Sequence, residues 1–471
     1  MKREDDGIGA WRGSSRSGVG VPSFTESLSA GATDPLDAVF VSGEYTRGEA
    51  GRGAFGTAPA TPRTDRPVSF HMVWIVSLLL LLFGLAMVYS SSSVSGFFES
   101  ESDGLELLRQ QGVVALAGLC LLILVSRLDY RRLRWAVFLT VFVSLGLLVA
   151  VLVPGVGRGA NGAVRWLSVG SINLQPSEVA KLSVVLMGAH LLSTRRALSG
   201  TFSALVWPLA GVAGLLGVLI IAQPDLGTTI MLGVIVVGLL FAAGMRLRQW
   251  VGLLLGSGAA IMLLILSSDY RRERFIGFLD PFADPLDSGF QVVQSYLAMS
   301  SGGWLGVGPG RSIQKFNYLP EAHTDMIFGI IGEEFGFVGV AAVLLLFFLF
   351  AAAALRLAAC CADPFGRYLV VGAVLMVAGQ AVINVGGVTG LLPLTGIPLP
   401  LISFGRTNLM VVLVAVGIVL SVARFCPSVS AAEISSGTRR GRVAGEESSN
   451  VTYLDRRRRH GRPRCARAGN S

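Results

Sequence analysis

The sequence predicts an all-α polytopic membrane protein with about ten transmembrane helices and a large extracytoplasmic loop between spans seven and eight. Three observations carry that expectation. Of the 471 residues, 52% are hydrophobic and only 15% are charged, whereas soluble domains are about 25% charged. The apolar residues fall into runs of roughly 15 to 25, the length that crosses a hydrocarbon core as helix, without the alternation of a transmembrane β-barrel. One polar stretch, Asp269 to Asp325, breaks the apolar pattern with arginines, aspartates, glycines and aromatics.

The elements follow in chain order. Residues 1–66 are rich in Gly, Ser, Arg and Thr and contain no apolar signal-peptide core, so they predict a disordered cytoplasmic tail. A membrane domain is expected over residues 67–424. Its ten spans read Phe70–Tyr89, Leu105–Val125, Trp135–Val153, Val179–Leu192, Ala204–Ala222, Thr228–Ala243, Trp250–Leu266, Ile327–Leu355, Tyr368–Val388 and Leu409–Ala423. The fourth is short and should begin nearer Pro176. The eighth is too long for one straight crossing and should kink or start above the membrane. Residues 425–471 are polar, with a basic cluster at Arg456–Arg464, and predict a second disordered cytoplasmic tail.

Short loops set the orientation. Arg127, Arg131, Arg132 and Arg134 follow span two, Arg195 and Arg196 span four, and Arg246 and Arg248 span six. Arg356 and Arg367 flank the loop after span eight, and Arg424 ends span ten. All fall on one side, the cytoplasm, and both termini fall with them. The net charge of +9 therefore argues for topology and anionic lipid rather than nucleic acid. The five cysteines, Cys120, Cys360, Cys361, Cys426 and Cys465, lack metal-ligand spacing and imply no disulfide framework.

The opposite face carries Arg158, Arg165, Arg271, Arg272, Arg274, Arg311, Lys315 and Arg406, against the topological preference. Arginines so placed suit an anion, because the guanidinium fork matches phosphate; long loops also translocate whatever their charge. Glu178 and Lys181, three apart, share one helix face at the start of span four, as an ion pair or as ligand contacts. Gln380 and Asn384, at i and i+4, suit helix–helix hydrogen bonding. Gly302, Gly303, Gly306, Gly308 and Gly310 read either as a tight turn or as an amide nest for diphosphate. Pro393, Pro398 and Pro400 predict a broken, re-entrant segment, buried in protein or lining a cavity.

Four outward segments recur together in one known family: NGAVRWLSVGSINLQPSEVAKL (Asn161–Leu182), QPDLGTT (Gln223–Thr229), the long insert, and QAVINVGGVTGLLPLTGIPLPLISFG (Gln380–Gly405). Over residues 70–424 the chain resembles the FtsW/RodA (SEDS) cell-wall polymerases, and YLPEAHTD at Tyr318–Asp325 resembles the division branch. The resemblance implies a peptidoglycan glycosyltransferase. Its members polymerise lipid II into β-1,4-linked glycan strands outside the cytoplasmic membrane, beside a class B penicillin-binding protein and other divisome proteins, at the septum. It also implies a divalent cation, Mg²⁺ or Mn²⁺.

A single inverting displacement needs a positioned base and a site for the departing undecaprenyl diphosphate. The family's catalytic aspartate falls in DPxxDPxxxG, which places it at Asp284, with Asp280 and Asp287 as rival carboxylates and Asp284 as a metal ligand shared with substrate. Asp287 stands where relatives carry glycine. On spacing alone, both Asp-Pro pairs read equally well as helix N-caps. Substrate contacts are expected from Arg165, Glu178, Lys181, Arg271, Arg272, Arg274, Gln291, Lys315, His323, Thr324 and Asp325; the last three could instead order the loop. Glu333 and Glu334 are expected to pair with Arg or Lys. The Arg406-Thr407-Asn408 run departs from the family pattern. Two competing functions share the fold: a lipid II flippase, and a scaffold that activates its transpeptidase partner.

Overall fold

The computed structural model describes residues 67–92, 104–160, 163–169, 172–195, 203–287, 289–316, 319–320 and 322–426. The tail residues 1–66 and 427–471, read as disordered, lie outside them. The described chain forms α1 (Val68–Ser92), α2 (Gly104–Arg127), a 3₁₀ turn at Tyr130–Arg132, and α3 (Leu133–Leu152). Three strands follow: β1 (Gly157–Ala160), β2 (Ala163–Val169) and β3 (Ile172–Leu174). Then come α4 (Pro176–Arg195), α5 (Ser203–Ile221), α6 (Leu226–Ala242), α7 (Leu247–Leu266), α8 (Asp269–Leu279), α9 (Phe290–Gly302), α10 (Ile327–Cys360), α11 (Pro364–Val388) and α12 (Arg406–Phe425).

Each of the ten expected spans falls on a helix, namely α1–α7 and α10–α12. Among the described residues, seven segments are long and apolar enough to cross a membrane: α1, α2, α3 with its leading turn, α7, α10, α11 and α12. Helices α5 and α6 are apolar but shorter, and α4 carries Glu178, Lys181 and His190. The core is built on α11 and α12, where 72% and 78% of the apolar window is buried, while only 6% of α7 is. Helix α11 packs on α4, α6 and α10, and α12 packs on α2.

Local chemistry sets the boundaries. Helix α4 begins at Pro176, as its sequence suggests, because proline has no amide to lose in a first turn. Asp225 caps α6 by accepting from the Thr228 amide at 3.1 Å, and Asp363 caps α11 ahead of Pro364. Helix α10 breaks at Gly336, with φ 62° and ψ −159°, so the kink expected of the overlong eighth span is there.

The broken backbone groups find partners in the loop after α9. Val307 and Gly308 donate their amides to the carbonyls of Glu333 and Glu334 at 3.0 and 3.1 Å. Phe337 and Val338 donate theirs to Gly303 and Trp304 at 2.9 and 3.2 Å. Gly306, at φ 82°, lies against the Glu334 carbonyl, where a Cβ would collide. The glycines are therefore a docking turn, and two of the amides that a diphosphate nest would need are already used.

Two expectations are corrected. The chain is not purely helical: β1, β2 and β3 form an antiparallel sheet in that order, with Leu167 opposite both Gly157 and Leu174. The signal was present in Asn161-Gly162, a hairpin dipeptide, between runs too short to show a period. Cys361 and Cys426, read as unpaired, form a disulfide with Cα atoms 5.7 Å apart. They are 65 residues apart in sequence, and the fold brings them together where α10 and α12 end.

Candidate functional site

A cavity of about 570 Å³ opens between α6, α7, α8 and the chain after α11. Leu226, Ile230, Ile261, Met262, Ile265, Ile383, Leu392 and Leu394 give it apolar walls, and Arg165, Arg271 and Arg274 bring charge to it. Strand β2 supplies Arg165. Arg271 and Arg274 stand three apart on α8, so they share a face. Arg165 donates to the carbonyls of Gln223, at 3.4 Å, and Pro224; Arg271 donates to the Leu264 carbonyl at 3.2 Å. Carbonyls orient these guanidinium groups without cancelling their charge, and among the described residues neither Arg165 nor Arg271 meets a carboxylate. Arg272 points elsewhere. It pairs with Asp269 at 2.8 Å in solvent and does not line the cavity, so it is not part of the cluster in which the sequence placed it.

Asp284 follows α8 on a turn. Residues 280–287 form no helix, so neither Asp-Pro pair caps one. Asp280 instead accepts from the Phe282 amide at 3.2 Å, and the Asp284 carbonyl accepts from Gly289 at 3.0 Å. Gly289 lies so close to the Pro281 carbonyl that a side chain would strike it. The Asp284 carboxylate is exposed, with no partner among the described residues. Phe282 packs on Tyr296 at 6.4 Å, Tyr296 lies against Gly390, and Ser295 donates to the Val388 carbonyl. Helix α9 thus fastens the aspartate turn to the end of α11. Gln291, in the first turn of α9, is half-buried.

Glu178 and Lys181 form an ion pair at 2.8 Å with each side chain 1% exposed. Lys181 also donates to Gln380 at 2.6 Å, and Gln380 donates to the Pro398 carbonyl at 2.7 Å. Asn408 donates to Glu178 at 2.8 Å. Of the two readings open in the sequence, the geometry gives the ion pair, and it holds the proline-bearing segment Pro393–Gly405. Asn384 grips the same segment through the Ile397 carbonyl at 2.8 Å and joins it to the Asp325 carbonyl at 2.7 Å. His323 accepts from the Phe404 amide at 2.9 Å, its ring 5.8 Å from that of Phe404, and Thr324 donates to Asp325 at 3.3 Å. His323 and Asp325 thus order this segment, Pro393–Gly405, whose inner part is buried while Leu392–Thr395 line the cavity. Thr407 accepts from the Gln175 amide at 3.0 Å and donates to the Asn173 carbonyl at 3.2 Å. The departure at 406–408 therefore ties α12 to the corner between β3 and α4.

Lys315, expected at the ligand, is buried. It pairs with Glu334 at 3.6 Å and donates to the Gly310 carbonyl at 2.6 Å. Glu334 therefore has its cationic partner, whereas Glu333 does not follow the expectation. Its carboxylate takes the Ser312 hydroxyl and the amides of Ile313 and Gln314, at 2.8 and 3.4 Å. Sequence reasoning also missed Asp225, which gathers Ser177, Gln175 and Thr228 around the start of α6. The Asp-x-x-Thr spacing was the available signal.

No group of three or more His, Cys, Asp or Glu side chains able to hold a metal occurs among the described residues. The exposed, unpartnered Asp284 carboxylate fits the remaining arrangement, a cation shared between one protein carboxylate and a substrate phosphate.

Residues 70–427 match the family of FtsW, RodA and SpoVE, described as "Cell cycle protein". The chain is 39% identical over 352 residues to a probable peptidoglycan glycosyltransferase FtsW of Geobacter metallireducens, covering 75% of this chain and 94% of the relative. It is 41% identical over 380 residues to the protein of that name from Mycobacterium tuberculosis (79% and 72% covered). With stage V sporulation protein E of Bacillus subtilis it shares 41% over 353 residues (74% and 96%). Among solved structures, it superposes with TM-score 0.58 and 30% identity on a chain from work on structural coordination of polymerization and crosslinking by a peptidoglycan synthase complex, covering 77% of this chain and 98% of that one. Thermus thermophilus RodA gives TM-score 0.55 and 29% identity, with 74% and 95% covered.

Proposed function

This chain belongs to the FtsW, RodA and SpoVE family, and on that premise we propose that it is a peptidoglycan glycosyltransferase of cell division that polymerises lipid II. The observation that carries the reading is the meeting of Arg165 from β2 with Arg271 and Arg274 at an apolar cavity, the latter two on the helix that leads into the exposed Asp284 turn. Apolar walls suit a polyprenyl chain, and the guanidinium groups of Arg165 and Arg271, oriented by carbonyls rather than carboxylates, suit the diphosphate that joins it to sugar.

In this mechanism the acceptor hydroxyl attacks the anomeric carbon of the donor and inverts it. Asp284 takes the hydroxyl proton. The bond to diphosphate breaks with its electron pair on the leaving oxygen, and the three arginines stabilise the charge that develops there. A divalent cation held by Asp284 would supply further neutralisation of the diphosphate. Ten helices, α1–α7 and α10–α12, cross the cytoplasmic membrane in this reading, with the arginine-rich turns and both termini inside and the 267–325 loop outside at the septum. A class B penicillin-binding protein receives the glycan for crosslinking, in keeping with the complex named for the structural neighbour.

The test is polymerisation of lipid II by the purified chain with its cognate transpeptidase. Asp284→Asn should abolish polymer and leave the unfolding temperature unchanged, since the side chain is exposed. Full polymerisation by a folded Asp284→Asn protein would end the assignment. Translocation of lipid II in liposomes, undiminished in that variant and without any polymer, would favour transport.

A further inference from the structure

The surface around the break in α10 is apolar although it belongs to a polar insert. Trp304 is 75% exposed and Leu305 80%, on a loop pinned by the four backbone bonds described above. Gly303 and Gly306, both at positive φ, bracket the pair and turn it outward. The Trp304 ring meets Phe337 edge-on at 5.2 Å. Phe337 is itself exposed, and the apolar surface continues down α10 through Leu345 and Phe348.

Two rulers give the depth of this patch. After the break, α10 is apolar until Arg356. At the helical rise, Phe337 to Leu355 spans about 28 Å, close to the roughly 30 Å of a hydrocarbon core. The break then sits at one edge of the core and Arg356 at the other. Helix α1 supplies the second ruler: Ser90 donates to Glu334 at 2.6 Å, so exposed Tyr89 reaches the same level. Tyr and Trp concentrate at such edges because an apolar ring with a polar atom suits the headgroup boundary.

We infer that Trp304 and Leu305 form a membrane-interface anchor, seated in the headgroup region of the leaflet that faces the insert and fixing the depth of the loop that carries Lys315. The occupant is lipid, because the patch runs without interruption into the outward flank of a spanning helix and lies where that helix leaves the core. This rests on the membrane topology and not on the glycosyltransferase reading.

The test uses the full chain in nanodiscs of phosphatidylcholine and phosphatidylglycerol, with and without acyl chains brominated near the headgroup. Subtracting the tryptophan emission of a Trp304→Phe variant isolates Trp304. The expected difference signal is blue-shifted, is lost in brominated lipid and resists acrylamide. Quenching by acrylamide with no effect of bromine would overturn the inference. Shielding from both would also overturn it, by showing that protein covers the patch. A spin label at Leu305→Cys, read by oxygen against a water-soluble nickel chelate, gives the depth independently if the first variant misfolds; greater collision with nickel than with oxygen would likewise overturn it.

Discussion

Lys315 and Glu334 face each other at 3.6 Å with both side chains buried, one from the polar insert and one from the turn of α10 just before its break. Ser90 adds a hydroxyl to the same carboxylate oxygen, and the other oxygen, Oε2, has no partner among the described residues. Removing the lysine leaves a buried carboxylate with one hydrogen bond. Lys315→Met should therefore lower stability by about 3–5 kcal/mol, the usual result of breaking a buried pair on one side. Thermal unfolding in detergent reads the effect, and Lys315→Met/Glu334→Leu should recover most of it.

The inner ion pair predicts a local effect. Glu178→Gln retains a hydrogen-bonding group for Asn408 but strips the charge that balances Lys181. Lys181 is the link to Gln380 and so to the Pro398 carbonyl. Hydrogen exchange should accelerate at residues 397–404 before it does in α2 or α3. Unchanged protection there would show that the pair does not hold the segment.

The cavity arginines should separate from their neighbour in kinetics. A hydrogen bond to a charged group contributes about 1.5–3 kcal/mol, so Arg271→Ala or Arg165→Ala should reduce kcat/KM for lipid II by roughly 10–100-fold. Arg272→Ala should change it little, because Arg272 is turned to solvent and paired with Asp269. Equal losses at Arg271 and Arg272 would mean that general charge, not this cluster, matters.

The disulfide gives a prediction that needs no substrate. Cys361 and Cys426 join the start of the α10–α11 turn to the end of α12. Reduction should lower stability by about 2–4 kcal/mol, seen as a lower unfolding temperature with dithiothreitol. Cys361→Ser/Cys426→Ser should abolish the difference. If alkylation finds both thiols free in unreduced protein, the bond is absent under those conditions.

Much of the fold was legible because membrane spans announce themselves by length and apolarity, and all ten stretches proved helical. Gly336 was not named beforehand, but the excess length of the eighth span called for either a kink or a start above the membrane, and the helix breaks at Gly336. The sheet at 157–174 escaped because its strands are too short for a period to emerge. Within the site, Arg271 and Arg274 were legible as candidate anion ligands in a polar insert, and both line the cavity. Their separation from Arg272 was not, since adjacent residues look alike until the helix faces a cavity. Lys315, Glu333 and Asp225 show the same limit from the other side. A charged residue in sequence declares that it needs a partner, and only the fold says whether that partner is a ligand, a backbone amide or another side chain.

Gly84, in the middle of α1, meets Leu401 and Ile402 so closely that a Cβ there would sit 2.6 Å from the Ile402 Cα and collide with the Leu401 carbonyl. The groove that receives the 393–405 segment is thus cut in the earliest-made of the described helices, while its occupant is made just before the last of them. At roughly 5–20 residues per second, α1 must wait many seconds in the bilayer with that groove open to lipid or to the wrong helix. Biogenesis therefore has a late locking step, and a nascent chain arrested before α12 should remain an open, protease-sensitive assembly even with nearly all its helices inserted.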